Sequence, residues 1–175
     1  MGQIILITGG QRSGKSSFAE QLALTMTDKP VYMATAHKWD KDFEERIRRH
    51  QERRGPCWTT IEEELSPKKY DLTGRVVVFD CITLWVTNYL AAEKDFENDG
   101  TLKKIYNLIT EEFEAVVARD AKFIFVTNEI GCGGISDSIL QNKFTDLLGR
   151  VNQYVARRAD EVYLMVSGIP VKIKS

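Results

Sequence analysis

Residues 9–16 read Gly-Gly-Gln-Arg-Ser-Gly-Lys-Ser, and the apolar run Ile4-Ile5-Leu6-Ile7 leads directly into them. This is a complete G-x-x-x-x-G-K-S phosphate-binding loop, and a buried strand ending in such a loop is the context in which the motif has its physical meaning. Gly9 and Gly14 allow the tight backbone path. Successive N–H groups across Gly9, Gly10, Gln11, Arg12, Ser13 and Gly14 form a cradle for phosphate oxygens, and the positive end of the following helix is aimed at the same anion. Lys15 offers a cation to the outer phosphates, and Ser16 a hydroxyl to a bound magnesium ion. A chance glycine-rich turn would lack a strand and a helix in register with it, so the expected ligand is a nucleoside triphosphate.

Outward from the loop, strand-like runs alternate with helix-like ones. Strands are predicted near Ile4–Thr8, Val31–Ala34, Val76–Asp80, Phe123–Thr127 and Val162–Val166, with weaker ones at Thr59–Glu62 and Val171–Ile173. Their branched apolar residues suit strands buried on both faces. Leu102, Ile105, Ile109, Phe113 and Val116 recur at helical spacing, as do Phe144, Leu147, Leu148 and Val151, and both stripes read as core-facing helix sides. Gly55-Pro56, Ser66-Pro67 and Asn98-Asp99-Gly100 read as punctuation. The pattern predicts an α/β fold of the P-loop NTPase type: three layers, a mostly parallel central sheet and helices on both faces.

With 175 residues and 43% hydrophobic composition, the chain suits one domain over 1–175 with a real core. Lys and Arg number 24 against 25 Asp and Glu, a balance that argues against a nucleic-acid or membrane surface and leaves small anions as the natural partners. Cys57, Cys81 and Cys132 are odd in number and widely spaced, which points to reduced thiols in a cytoplasm and not to a zinc site. The first strand begins almost at the amino terminus and no apolar run approaches membrane-spanning length, so a cytoplasmic protein without a leader is expected.

Val76-Val77-Val78-Phe79-Asp80 is an apolar strand closing on a carboxylate. Alone, such an Asp reads as a turn residue. Beside a complete phosphate loop it reads as the acid that holds magnesium opposite the Ser16 hydroxyl. If Lys41–Arg54 is a helix of about 100° per residue, Phe43, Ile47, His50 and Arg54 share a sector of roughly 60°. His50 then faces inward with Arg46 and Arg53 one turn either side, cations that suit phosphate and disfavour imidazolium. A neutral imidazole is a competent nucleophile; the alternative is a packed structural histidine. His37 falls in a connection and reads as polar and solvent-facing.

The phosphate loop, Tyr32-Met33-Ala34-Thr35-Ala36, Arg46-Ile47-Arg48-Arg49-His50, Val126-Thr127-Asn128-Glu129-Ile130-Gly131, Gly149-Arg150-Val151-Asn152-Gln153 and Val166-Ser167-Gly168-Ile169-Pro170 together resemble the bifunctional adenosylcobinamide kinase/adenosylcobinamide-phosphate guanylyltransferase family of cobalamin assembly. The resemblance runs in order from residue 4 to the carboxyl terminus. It implies phosphorylation of the terminal hydroxyl of the corrinoid's aminopropanol arm with ATP or GTP. Transfer of GMP from GTP to that phosphate follows, through a guanylylated histidine that matches His50. It further implies nucleotide contacts at Gly9 to Ser16, Ala34, Thr35, Ala36, Gln51, Glu52, Arg53, Arg54, Glu62 and Asp80, magnesium at Ser16 and Asp80, and a homotrimer. Many members carry Glu at the Asp80 position and a second histidine where this chain has Arg49. The loop Gly131-Cys132-Gly133-Gly134-Ile135-Ser136 carries more glycines than its relatives commonly do.

Other functions fit less well. A single-activity small-molecule kinase needs no guanylylated histidine. A GTP-dependent switch would read guanine with N-K-x-D, whereas Asn142-Lys143-Phe144-Thr145-Asp146 has one residue too many and lies in an amphipathic stretch. A nucleic-acid motor is at odds with the balanced charge and the small size.

Overall fold

The apolar run at the amino terminus becomes the strand that organises the sheet. The computed structural model describes residues 2–37, 48, 54–93 and 98–175. Its elements in chain order are β1 (Ile4–Gly9), α1 (Lys15–Met26), β2 (Val31–Ala34), β3 (Thr59–Glu62), β4 (Val76–Asp80), α2 (Ile82–Ala91), α3 (Asp99–Val117), β5 (Lys122–Val126), α4 (Ile139–Arg158), β6 (Glu161–Val166) and β7 (Ile169–Lys174). The seven strands form one sheet in the order β3-β2-β4-β5-β1-β6-β7. Every pairing is parallel except the β6–β7 hairpin, which closes one edge antiparallel.

Side chains alternate across each strand, and the two sets meet different helices. Ile5, Ile7, Val76, Val78, Ile124 and Val126 pack with Ala19 and Ala23 of α1 on one face. Leu6, Met33, Val77, Phe79, Phe123 and Phe125 pack with residues of α2, α3 and α4 on the other. Both predicted helical stripes face that second layer, with Ile105, Ile109, Phe113 and Val116 of α3 and Leu147, Leu148 and Val151 of α4 buried. No helix among the described residues is long and apolar enough to cross a membrane.

Two details add to the sequence reading. Asn98-Asp99-Gly100 punctuates the chain as a helix start: the Asn98 side chain accepts from the Gly100 N–H at 2.8 Å, so Asn98 caps α3 while Asp99 and Gly100 form its first turn. Ile82–Ala91 is a helix that the strand-and-stripe reading did not assign. The Asn142–Asp146 string lies inside α4, where an amphipathic helix was expected. Of the segment read as a helix over 41–54, only Arg48 and Arg54 are among the described residues. The expectations for Phe43, Arg46, Ile47, His50, Gln51, Glu52 and Arg53 therefore lie outside them.

Candidate active site at the carboxyl ends of the strands

The β1 backbone leaves the sheet at Gly9, whose φ of 148° belongs to glycine; a Cβ there would sit 2.7 Å from the Met165 carbonyl oxygen. Gly14 has φ 94° and would bring a Cβ to 3.2 Å from Gly168 Cα, so it serves both turn and close packing. Arg12 also takes a left-handed conformation. The loop is pinned from within by the Ser13 N–H to the Gly10 carbonyl at 3.3 Å, and from outside by the Gly168 N–H to the Ser13 carbonyl at 3.0 Å. Helix α1 follows with no side-chain cap and no acid in its first turn. Its amino end is thus left to an anion.

Lys15 is 7% exposed and donates to the Gly10 carbonyl at 2.5 Å and to Ser13 Oγ at 3.5 Å. Burial holds its ammonium below the usual lysine range, with the Cys81 and Asp80 side chains pulling the other way. A partly desolvated cation bonded only to neutral oxygens gains from an arriving phosphate.

Asp80 ends β4 in register with Ala34 of β2 and Val126 of β5. Its Oδ2 accepts a 2.5 Å hydrogen bond from the Tyr32 hydroxyl. Burial, then the Asp80 charge and this bond, raise the Tyr32 phenol well above its ordinary range, so it stays a donor. Tyr32 in turn lies beneath Arg54, whose guanidinium carbon is 3.5 Å from the ring centroid, and meets the edge of Trp58 at 6.0 Å. Arg54 is buried, with Nη1 3.8 Å from Glu20 Oε1 on α1; among the described residues its Nε and Nη1 have no hydrogen-bond acceptor.

Thr35 is fully buried and its hydroxyl both donates to the Cys81 carbonyl and accepts from the Cys81 N–H, each at 2.8 Å. Its own N–H donates to the Asp80 carbonyl, and its carbonyl accepts from the Asn88 amide at 2.7 Å. A nucleotide contact through that hydroxyl is therefore not what the fold offers; Thr35 braces β2 against β4, and Ala34 and Ala36 stand either side of the brace. Glu62, at the end of β3 in register with Ala34, is exposed at the same rim. His37 is part-exposed, its side chain 44% accessible, with Nδ1 2.8 Å from Glu64 Oε2.

The structure thus brings the loop, Lys15, Ser16, Ala34, Glu62 and Asp80 to one rim, where parallel α/β sheets bind ligands. Sequence reasoning missed Tyr32 and gave no task to Thr127-Asn128-Glu129. Tyr32 carries no signal in the sequence beyond an aromatic in a strand, because its partner lies on the neighbouring strand. For magnesium the residues fit: Tyr32 steadies one oxygen of Asp80, and Ser16 lies in the first turn of α1 next to Lys15. Among the described residues no three His, Cys, Asp or Glu side chains gather as a metal cage.

These features define a P-loop nucleotide-binding enzyme fold. A prototypical ATPase of a bacterial type III secretion system shares it with a TM-score of 0.57 at 11% identity, the match covering 95% of this chain and 51% of that one, a likeness of fold alone. More particularly, residues 5–173 match the cobinamide kinase / cobinamide phosphate guanyltransferase family, and the chain belongs to it. It is 38% identical over 183 residues to the bifunctional adenosylcobalamin biosynthesis protein CobU of Escherichia coli (strain K12), covering 98% of this chain and 99% of that one. It is also 38% identical over 190 residues to the protein of the same name from Salmonella typhimurium, with 98% and 99% covered. The pairing of a kinase with a guanylyltransferase, read from the sequence motifs, is the pairing by which this family is described.

Proposed function

We propose that this chain phosphorylates adenosylcobinamide with ATP or GTP, then transfers GMP from GTP to adenosylcobinamide phosphate through a guanylylated His50, giving adenosylcobinamide-GDP. The observation that carries the reading is the phosphate cradle itself: a buried Lys15, an uncapped α1 and a tyrosine-steadied Asp80 at one rim, in a chain of this family.

In the kinase step the acceptor hydroxyl attacks the γ-phosphorus in line while the nucleoside diphosphate leaves. The loop N–H groups and Lys15 position the phosphates and neutralise the developing charge. In the second step a His50 nitrogen bonds to the α-phosphorus and the bond to pyrophosphate breaks. A phosphate oxygen of the acceptor then attacks the same phosphorus and frees the imidazole. Ser16 and Asp80 would hold magnesium, which when bound supplies charge neutralisation at the phosphates. Glu62 is assigned to guanine or ribose, since a carboxylate accepts hydrogen bonds from the donors of either. The homotrimer implied by the family resemblance is supported by the apolar edge hairpin, where Val166, Ile169, Val171 and Ile173 are exposed.

The test is protein incubated with α-labelled GTP and then denatured. The expected adduct is lost in mild acid, survives alkali and is absent from His50→Ala, which keeps much of its kinase activity. An alkali-labile adduct, or one still formed by the variant, removes His50 from the mechanism. No adduct at all, with phosphorylation intact, favours the single-activity kinase.

A further inference from the structure

The turn Thr127-Asn128-Glu129 has no task in either step above, yet it occupies the centre of the rim. It follows β5, the strand that lies between β1 and β4: Val126 is in register with Ile7 on one side and Asp80 on the other. The Thr127 N–H donates to the Ile7 carbonyl and the Glu129 N–H to the Gly9 carbonyl, each at 3.0 Å, so the turn is tied to the first glycine of the phosphate loop.

Behind the turn lies a buried polar network. The Thr127 hydroxyl donates to Asn152 Oδ1 at 2.7 Å, the Asn152 amide donates to the Asn128 carbonyl at 3.3 Å, and the Asn128 N–H donates to Thr83 Oγ1 at 2.8 Å. Thr127 is fully buried and Thr83 nearly so. A turn held at this many points presents its side chains in fixed positions. Glu129 is exposed at the rim, and its Oε1 accepts from the Gly131 N–H at 2.8 Å, which orients the carboxylate.

A γ-phosphoryl group held between a loop on β1 and a metal-binding carboxylate on β4 lies over the strand between them. With the leaving diphosphate held by the loop and the amino end of α1, an acceptor would enter from the β5 side, where Glu129 is exposed. We infer that the turn after β5 is the subsite for the acceptor hydroxyl and that Glu129 is the catalytic base of the kinase step, an inference that rests on the kinase reading above. The hydroxyl oxygen bonds to the γ-phosphorus, its proton passes to the Glu129 carboxylate, and the bond to the nucleoside diphosphate breaks with its electron pair on the leaving oxygen. Guanylyl transfer makes no such demand. An imidazole nitrogen attacks with a free lone pair, and the later acceptor is a phosphate oxygen that is already anionic.

The experiment is Glu129→Gln, which keeps an oxygen for the Gly131 N–H and removes the basicity. The kcat for adenosylcobinamide phosphorylation is expected to fall about 10²-fold or more, with the nucleotide KM within about twofold of the unsubstituted enzyme. Formation of the α-labelled adduct and GMP transfer to a pre-phosphorylated acceptor should be retained, and Glu129→Asp should recover part of the kinase rate. A kinase kcat within about threefold of the unsubstituted enzyme overturns the assignment. So does an equal loss of both activities, which would trace to the Gly9 anchor and not to a proton. Failure of the kinase reading itself is seen separately, as an unsubstituted enzyme that phosphorylates nothing.

Discussion

Asp80 owes its position to two side chains that nothing in its own strand foretells. Tyr32 is in register with Val78, so its ring falls on the same face as the residue two further along β4, and its hydroxyl reaches the Asp80 carboxylate. Arg54 then covers the ring, which ties the chain just past the His50 segment to the carboxylate assigned to magnesium. Sequence reading assigns Asp80 to magnesium and, through the family resemblance, Arg54 to a nucleotide contact, but it does not foresee Arg54 stacked on Tyr32. The buried stacking depends on cross-strand register, which spacing along one chain does not encode. Tyr32→Phe keeps the ring under Arg54 and beside Trp58 while deleting one hydrogen bond to a charged group. The expected loss is about 1–2 kcal/mol in urea unfolding. Calorimetric titration of GTP should also show a raised magnesium requirement with metal-free binding unchanged; an unaltered requirement would reduce Tyr32 to a packing residue.

Elements were legible where one local rule governs them. The loop's glycines, the branched strands and the stripes of α3 and α4 each carry their own pattern, and β2, β3 and β4 begin and end where the sequence predicts. Helix α2 escaped because Ile82, Trp85, Val86 and Leu90, all buried, stand within a dense apolar run that reads equally as an extended segment. Of the two glycines that open the phosphate loop, the motif specifies Gly9 and leaves Gly10 open, and the fold shows why. A Cβ on Gly9 meets the Met165 carbonyl at 2.7 Å in a backbone conformation alien to L residues, whereas a Cβ on Gly10 meets nothing within 4 Å. Gly9→Ala should therefore cost about 2 kcal/mol or more and weaken nucleotide binding. Gly10→Ala should shift the melting temperature little. Similar melting of the two variants would mean that the loop relaxes around the added methyl.

At the scale of the molecule, the topology gathers the residues assigned to both reactions at one rim. The parallel strands β3, β2, β4, β5 and β1 all end there, and Glu62, Ala34, Asp80, the Thr127-Asn128-Glu129 turn and the phosphate loop lie at or just past their ends in that order. The chain has one G-x-x-x-x-G-K-S loop. On the function proposed above, transfer of the γ-phosphoryl and attack on the α-phosphorus draw on the same cradle, with the triphosphate approached by an alcohol in one case and by an imidazole in the other. Lys15→Ala removes the buried cation, and Asp80→Asn removes the charge while leaving an oxygen for the Tyr32 hydroxyl. Each variant should depress phosphorylation and guanylyl transfer together by about 10²-fold or more, because charge stabilisation at the phosphates is common to both transition states. Parallel assays of the two activities in each purified variant check this. A variant that lost one activity and kept the other would require a second phosphate site, and the sheet would then have to serve the two chemistries from different ends.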